Sequence, residues 1–218
     1  MKINIAIDGP SGAGKSAIAK ALAARLGYEY IDTGSLYRSI AYIADRAHTT
    51  EDIEALIQVL EEHEIDYRAG SAYVDGRAVG DEIRTERISS LTSTLSKEPE
   101  VRAYLLALQR RLANRGGTVM EGRDIGTVVL PDAELKFFLT ATEEERARRR
   151  YLQRKESGES VSMEKIRADL HNRDLQDSAR AVAPLVQAED AILVDSTSLS
   201  PEEVVERMAT YAEDADVL

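Results

Sequence analysis

Apolar residues along the chain gather in short runs separated by longer amphipathic stretches. Residues 3–7, Ile-Asn-Ile-Ala-Ile, are β-branched and closed by Gly9-Pro10, which predicts a buried strand. Residues 15–26 are rich in Ala with apolar positions at helical spacing, and Gly27 supplies a stop. A second strand follows over 28–31, ending at Asp32-Thr33-Gly34, then helices over 35–47 and 51–63. The stretch 65–79 alternates apolar and polar residues around Gly70-Ser71 and Asp75-Gly76, the pattern of hairpins inserted into another architecture. Two helices split near Pro99 are predicted over 86–114.

The rhythm then resumes. Strands are predicted over 118–121, 135–139 and 192–194. A strongly charged helix is predicted over 142–157, with Thr142 as N-cap and Glu145 completing a capping box. Gly158-Glu159-Ser160 breaks it, a polar helix follows over 163–179, and a last helix over 201–213 opens on Pro201. Short apolar strands alternating with helices predict an α/β fold with a parallel sheet covered on both faces.

One turn carries chemistry. Gly9-Pro10-Ser11-Gly12-Ala13-Gly14-Lys15-Ser16 fits G-x-x-x-x-G-K-[ST], between a predicted strand and a predicted helix that runs on through Ala17. Glycines let backbone N–H groups converge on phosphate oxygens, and the helix N-terminus adds favourable partial charge. Lys15 would reach the β- and γ-phosphates and the Ser16 hydroxyl would hold Mg²⁺. Chance matches should occur in roughly 1% of chains this long, and they would lack the strand–turn–helix context. The guanine-reading N-K-x-D motif is missing, because none of Asn4, Asn114 and Asn172 begins it. That argues against a GTPase and leaves a small-molecule kinase using ATP.

A kinase also needs an acceptor site. Asp32-Thr33-Gly34-Ser35-Leu36-Tyr37-Arg38 follows the second strand, at the sheet edge where such folds bind ligands. Arg38, one turn from Ser35, would hold an anion there, or the segment is simply a capped helix with a solvated Arg. Glu121-Gly122-Arg123-Asp124 follows the third strand at the same edge. Its carboxylates suit Mg²⁺ water and Arg123 suits phosphate. Arginines crowd the two helices after residue 142: Arg146, Arg148, Arg149, Arg150 and Arg154, then Arg167, Arg173 and Arg180. Several will pair with Glu143, Glu144 and Glu145 on a solvated face. The segment as a whole reads as a lid closing over a transferring phosphoryl group.

Composition narrows the choices further. The 218-residue chain has net charge −11, so nucleic acid and anionic membrane surfaces are poor partners and cations for phosphate must be gathered locally. Cys is absent, and His48, His63 and His171 are too scattered for a zinc motif. No apolar run approaches membrane-spanning length, and a cytoplasmic protein is expected.

The segments IDGPSGAGKS, DTGSLYR, EIRT, EGRDIGTVVLPDA, RDLQDSARAVAPL and LVDST, in this order and spacing, resemble the bacterial cytidylate kinase family over almost the whole chain. The resemblance implies a nucleoside-monophosphate kinase fold: a five-stranded parallel sheet flanked by helices, with a small acceptor-binding insertion and a helical lid. It divides a single domain into core (1–60, 90–150 and 180–218), insertion (61–89) and lid (151–165). It implies phosphorylation of CMP and dCMP by Mg·ATP, a monomer, and no nucleic-acid or membrane partner.

The resemblance also assigns roles. Ser93, Arg102 and Asp124 would contact cytosine; Arg38, Arg123 and Arg180 the CMP phosphate; Arg173 and Asp177 the sugar. Thr33 and Tyr37 would line the pocket, with Lys15, Arg123, Asp124 and Arg180 at the centre of catalysis. Ser16 and Glu121 would hold the metal, the latter through water. Glu121 stands where the family often has Asp, and Ser16 where some members have Gly. A kinase for UMP, AMP or shikimate, or a P-loop regulator without phosphoryl transfer, is the alternative.

Overall fold

A computed structural model describes residues 2–156 and 158–216; Met1, Ser157, Val217 and Leu218 lie outside the described residues, including the predicted end of the charged helix at Ser157. Five parallel strands form the central sheet: β1 (Asn4–Asp8), β2 (Glu29–Asp32), β6 (Thr118–Glu121), β7 (Leu135–Thr140) and β8 (Ile192–Asp195), in the order β2-β6-β1-β7-β8. Three short antiparallel strands, β3 (Ile65–Arg68), β4 (Ser71–Val74) and β5 (Arg77–Ala78), form a second sheet. Parallel strands need long crossovers, and the helices supply them.

Alternation along the central strands sends side chains into two cores. Ile5 and Ile7 of β1, Val119, Phe137, Leu139 and Val194 pack with Ile18 and Leu22 of α1 (Lys15–Leu26) and with Val204 and Met208 of α8 (Pro201–Asp216). Ala6, Ile31 and Met120 point the other way, against α2 (Thr33–Ala47), α3 (Ile53–Glu61), α4 (Glu86–Leu95) and α5 (Pro99–Ala113). Ile65, Tyr67, Ala72 and Val74 of the small sheet belong to this same second core. The hairpin segment therefore shares apolar contacts with α2 instead of burying a core of its own.

Helix ends follow local chemistry. Gly27 closes α1 in the left-handed conformation (φ 63°), its N–H bonding back to the last turn. Asp32 caps α2 and Asp52 caps α3, each accepting an N–H three residues on. Helix α3 starts two residues later than the predicted 51 because Asp52 is its cap, and α2 starts two residues earlier than the predicted 35 because the Asp32 cap leads straight into helical Thr33 and Gly34. The charged helix is α6 (Glu143–Glu156), and it is followed by α7 (Met163–Ser178). Thr142 does cap α6, accepting from Glu145 N–H at 3.3 Å. The reciprocal half of the predicted capping box is not formed. The Glu145 carboxylate pairs with Arg148 and Arg149, and Thr142 N–H donates to Thr197 Oγ1 at 3.0 Å. Two guanidinium groups win over one backbone N–H for a carboxylate. Helices α6 and α7 pack through a small cluster of Ala147, Ile166 and Leu170.

Leu22 is fully buried between α1 and the sheet, whereas Leu193 is half exposed. Leu22→Ala is expected to lower the unfolding free energy by roughly 2–5 kcal/mol, through lost transfer energy plus a cavity. Leu193→Ala should stay within about 0.5 kcal/mol. Chemical denaturation of both variants checks the pair, and equal losses would show that this face of the sheet is not a packed core.

Candidate active site

Strand register builds the site. Asp32 of β2 lies level with Glu121 of β6, and Glu121 lies level with Ile7 of β1. The loops that leave these strands start from one row at the carboxyl edge. Gly122 N–H donates to Ile7 O at 3.0 Å, tying the β6 exit to β1.

The first loop, 9–16, is pressed against the sheet and the lid helices. Gly9 has φ 147°, and a Cβ there would sit 2.0 Å from Leu139 O, so only glycine fits. Gly12 lies under Arg146 and Leu170 of α6 and α7. Lys15 Nζ donates to Gly9 O and Pro10 O, both at 2.8 Å, which keeps the buried ammonium inside the loop. Burial, and next the nearby charge of Arg123, push Lys15 down from the ordinary lysine range; Glu121, Asp8 and Asp177 act the other way. Ser16 and Ala17 stand in the first turn of α1, and both are exposed.

Glu121 is buried, and desolvation followed by the charge of Asp32 raises its pKa; Lys15 and hydrogen bonds from Ser16 and Tyr30 oppose the rise. Tyr30 Oη donates to Glu121 Oε1 at 2.7 Å, and Thr33 Oγ1 donates to Glu121 O at 2.7 Å. One to two carboxylates plus substrate phosphates is the ordinary Mg²⁺ environment, and Ser16 with Glu121 fits that donor set.

Beyond this row lies a cluster of arginines and aspartates. Asp32 accepts from Ser35 N at 3.1 Å, Ser35 Oγ at 2.6 Å and Arg38 Nη2 at 2.9 Å. Arg38 also donates to Ser35 Oγ at 2.9 Å. Arg102 of α5 forms a buried ion pair with Asp124, donates to Ser96 O at 3.2 Å, and stacks over the Tyr37 ring at 5.6 Å. Burial raises the Tyr37 phenol to about 12. Arg123 Nε donates to Asp177 Oδ2 at 2.8 Å, and Arg180 pairs with the other oxygen of the same carboxylate. Arg173 is lowered, first by desolvation of its guanidinium and then by the charge of Arg123, although much of its side chain reaches solvent.

Five guanidinium groups (Arg38, Arg102, Arg123, Arg173, Arg180) thus meet three carboxylates (Asp32, Asp124, Asp177), leaving an excess of two positive charges. Arg38 Nε and Arg180 Nε are buried donors with no acceptor. Buried N–H groups are ordinarily paired, so these two stand out among the described residues. Ser93 is half-buried on α4, and its hydroxyl donates back to Ser89 O at 3.3 Å.

Several arginines of α6 already have partners within the chain. Arg148 and Arg149 pair with Glu145, and Arg149 also donates to Ser196 Oγ at 3.0 Å. Arg146 is buried and donates to Ser11 O at 2.9 Å and Asp174 Oδ2 at 2.5 Å. Asp174 in turn accepts from Ser11 N at 3.3 Å. Tyr30 joins the site without a motif to announce it, Asp8 and Asp174 lie in the segments IDGPSGAGKS and RDLQDSARAVAPL without a role of their own being expected, and Arg146 is set apart from its neighbours only by its inward direction. The pattern gives no sign of Tyr30. Asp8, an acidic residue closing an otherwise apolar strand run, is the one local signal.

The sequence model of the family described as Cytidylate kinase matches residues 5–214. The cytidylate kinase of Geobacter sp. (strain M21) is 52% identical over 209 residues, covering 94% of this chain and 90% of that protein. The cytidylate kinase of Geobacter sulfurreducens is 49% identical over 217 residues, covering 97% and 93%. Among solved structures, shikimate kinase from Bacteroides thetaiotaomicron is similar with a TM-score of 0.53 at 15% identity, covering 100% of both chains, a likeness of fold. With the family model spanning nearly all of the chain and half of its residues shared with curated members, this protein belongs to the cytidylate kinase family.

Proposed function

We propose that this protein transfers the γ-phosphoryl group of ATP to CMP or dCMP, giving ADP and CDP or dCDP. The observation that carries the reading is the arginine cluster beside the P-loop. It holds two more positive than negative charges and two buried unpartnered guanidinium N–H groups, which suits a phosphate dianion. Lys15 feels Arg123 and Asp177 directly, so donor and acceptor sites adjoin.

In this reading residues 9–17 hold the ATP phosphates. Lys15 leaves its contacts with Gly9 O and Pro10 O to meet the β- and γ-phosphates. Arg38, Arg123 and Arg180 grip the acceptor phosphate, and Arg173 and Asp177 the sugar. Mg²⁺, held through Ser16 and water on Glu121, neutralises charge on the donor phosphates when bound. The acceptor oxygen is already anionic, so positioning and charge neutralisation carry catalysis without a strong general base. The segment 151–165 closes as a lid, and the insertion 61–89 completes the acceptor side. A monomer suffices for every role named.

The buried Arg102–Asp124 pair suits cytosine. The carboxylate accepts from the exocyclic amino group, with Ser93 beside it, and Arg102 donates to the ring acceptors. Uracil offers a carbonyl where cytosine offers the amino group, so Asp124 would face an acceptor, and such buried mismatches discriminate strongly.

A coupled ADP-release assay with Mg·ATP against CMP, dCMP, UMP, AMP and GMP is expected to show turnover concentrated on CMP and dCMP. Turnover with a different acceptor would overturn the base assignment while keeping the kinase. Lys15→Ala is expected to reduce kcat by at least about 10²-fold, as removal of a transition-state charge partner does. Asp124→Ala should raise KM for CMP by roughly 10²-fold, with KM for ATP within about threefold. Unaltered CMP kinetics in that variant would sink Asp124 as the base reader.

A further inference from the structure

Asp8 is the last residue of β1, next to Gly9, and has no part in the roles above. Its side chain is buried, at 4% exposure. Its two oxygens go to backbone: Oδ1 accepts from Ile125 N at 2.8 Å and Oδ2 from Gly126 N at 2.7 Å. Burial lifts its pKa to about 6 even though these two hydrogen bonds pull it down. A carboxylate placed here is costly for a strand end and calls for a function.

The two amides belong to the residues immediately after Asp124. They open the π-helical turn Ile125–Val129, whose N–H groups at Val128 and Val129 close onto Asp124 O. Asp124 has an irregular backbone (φ −142°, ψ 27°) and is gripped by Arg102 on its side-chain side. Asp8 holds the other side of the same loop from within the strand that launches the P-loop. The end of β1 thereby fixes the donor loop by covalent connection and the base-reading loop by one carboxylate.

We propose that Asp8 is a positioning residue for acceptor recognition, holding the 124–126 backbone so that the Asp124 carboxylate meets the base. The proposal rests on the assignment of Asp124 to cytosine. Asp8→Asn keeps the size but accepts at only one atom, setting an amide N–H against a backbone donor.

Steady-state kinetics and calorimetry on the full chain test it. Asp8→Asn is expected to raise KM for CMP about tenfold, a single hydrogen bond's worth, with kcat and Mg·ADP affinity within about threefold. In an Asp124→Ala background the same substitution should add less than about twofold, because its effect passes through Asp124. Parallel loss of CMP binding, kcat and Mg·ADP affinity, or full additivity with Asp124→Ala, would reduce Asp8 to general support of the fold and overturn the proposal.

If Asp8→Asn does not fold, Asp8→Glu decides the matter. Its extra methylene displaces the carboxylate from the Ile125 and Gly126 N–H groups, which now sit at 2.8 and 2.7 Å, while keeping the charge. The same selective rise in KM for CMP is expected, and an unchanged KM overturns the proposal. Asp124→Ala run alone separates the two layers. If it leaves CMP kinetics intact, the base assignment falls and this proposal with it. If it loses CMP while Asp8→Asn does not, this proposal alone falls.

Discussion

The parallel register of β2, β6 and β1 is the constraint on which the remainder depends. Level pairing of Asp32 with Glu121 and of Glu121 with Ile7 brings three loops out at one height. A slip of one residue in β6 would exchange the faces of Met120 and Glu121, burying the carboxylate in apolar packing. Val119 and Met120, fully buried on opposite faces, forbid the slip. Apolar packing thus fixes the position of a polar site, and the Thr33–Glu121 and Gly122–Ile7 hydrogen bonds then lock the loop origins together.

An acidic chain binding polyanions must separate its charges in space. Acidic residues dominate the sequence overall, yet the row above the sheet edge has a positive excess. Helix α6 shows part of the arrangement. Glu145 pairs with the exposed Arg148 and also with Arg149, which reaches Ala13 O at 3.4 Å and Ser196 Oγ at 3.0 Å beside the P-loop, while Arg146 is turned inward to hold Ser11 and Asp174. Surface pairs of the first kind contribute little stability.

Elements with local punctuation are legible in the sequence. The helix Lys15–Leu26 and the strand Thr118–Glu121 match their predicted bounds, because glycines flank both. Strand β1 shifts by one residue, since Asp8 continues the extended backbone where an apolar count would stop. The P-loop and the two acidic loops are legible because phosphate and metal chemistry demands fixed residue types at fixed spacing. The parts played by Tyr30, Arg146 and Asp174 are not, since each depends on a partner far along the chain. Tyr30 reaches Glu121 and Arg146 reaches Ser11 only after the sheet has formed. Glu145 misleads for a related reason: a local motif loses to nearby arginines whose orientation the pattern does not encode.

The arginine cluster also shows why the site is built with carboxylates already in place. Four buried or half-buried guanidinium groups without partners, with Arg173 beside them, would repel one another and be driven apart, and burying an unpaired ion costs several kcal/mol. Asp32, Asp124 and Asp177 hold Arg38, Arg102, Arg123 and Arg180 in fixed directions before any ligand arrives. Replacing these pairs by apolar residues would be neutral or stabilising for the fold, so stability does not account for them. Preorganisation does. The guanidinium groups need little reorientation when a phosphate enters, and the two Nε donors left over on Arg38 and Arg180 are the ones the aspartates do not satisfy. A fully neutralised cluster would be more comfortable without substrate and would bind it less well; in the proposed function the unmatched charge is what the acceptor phosphate completes.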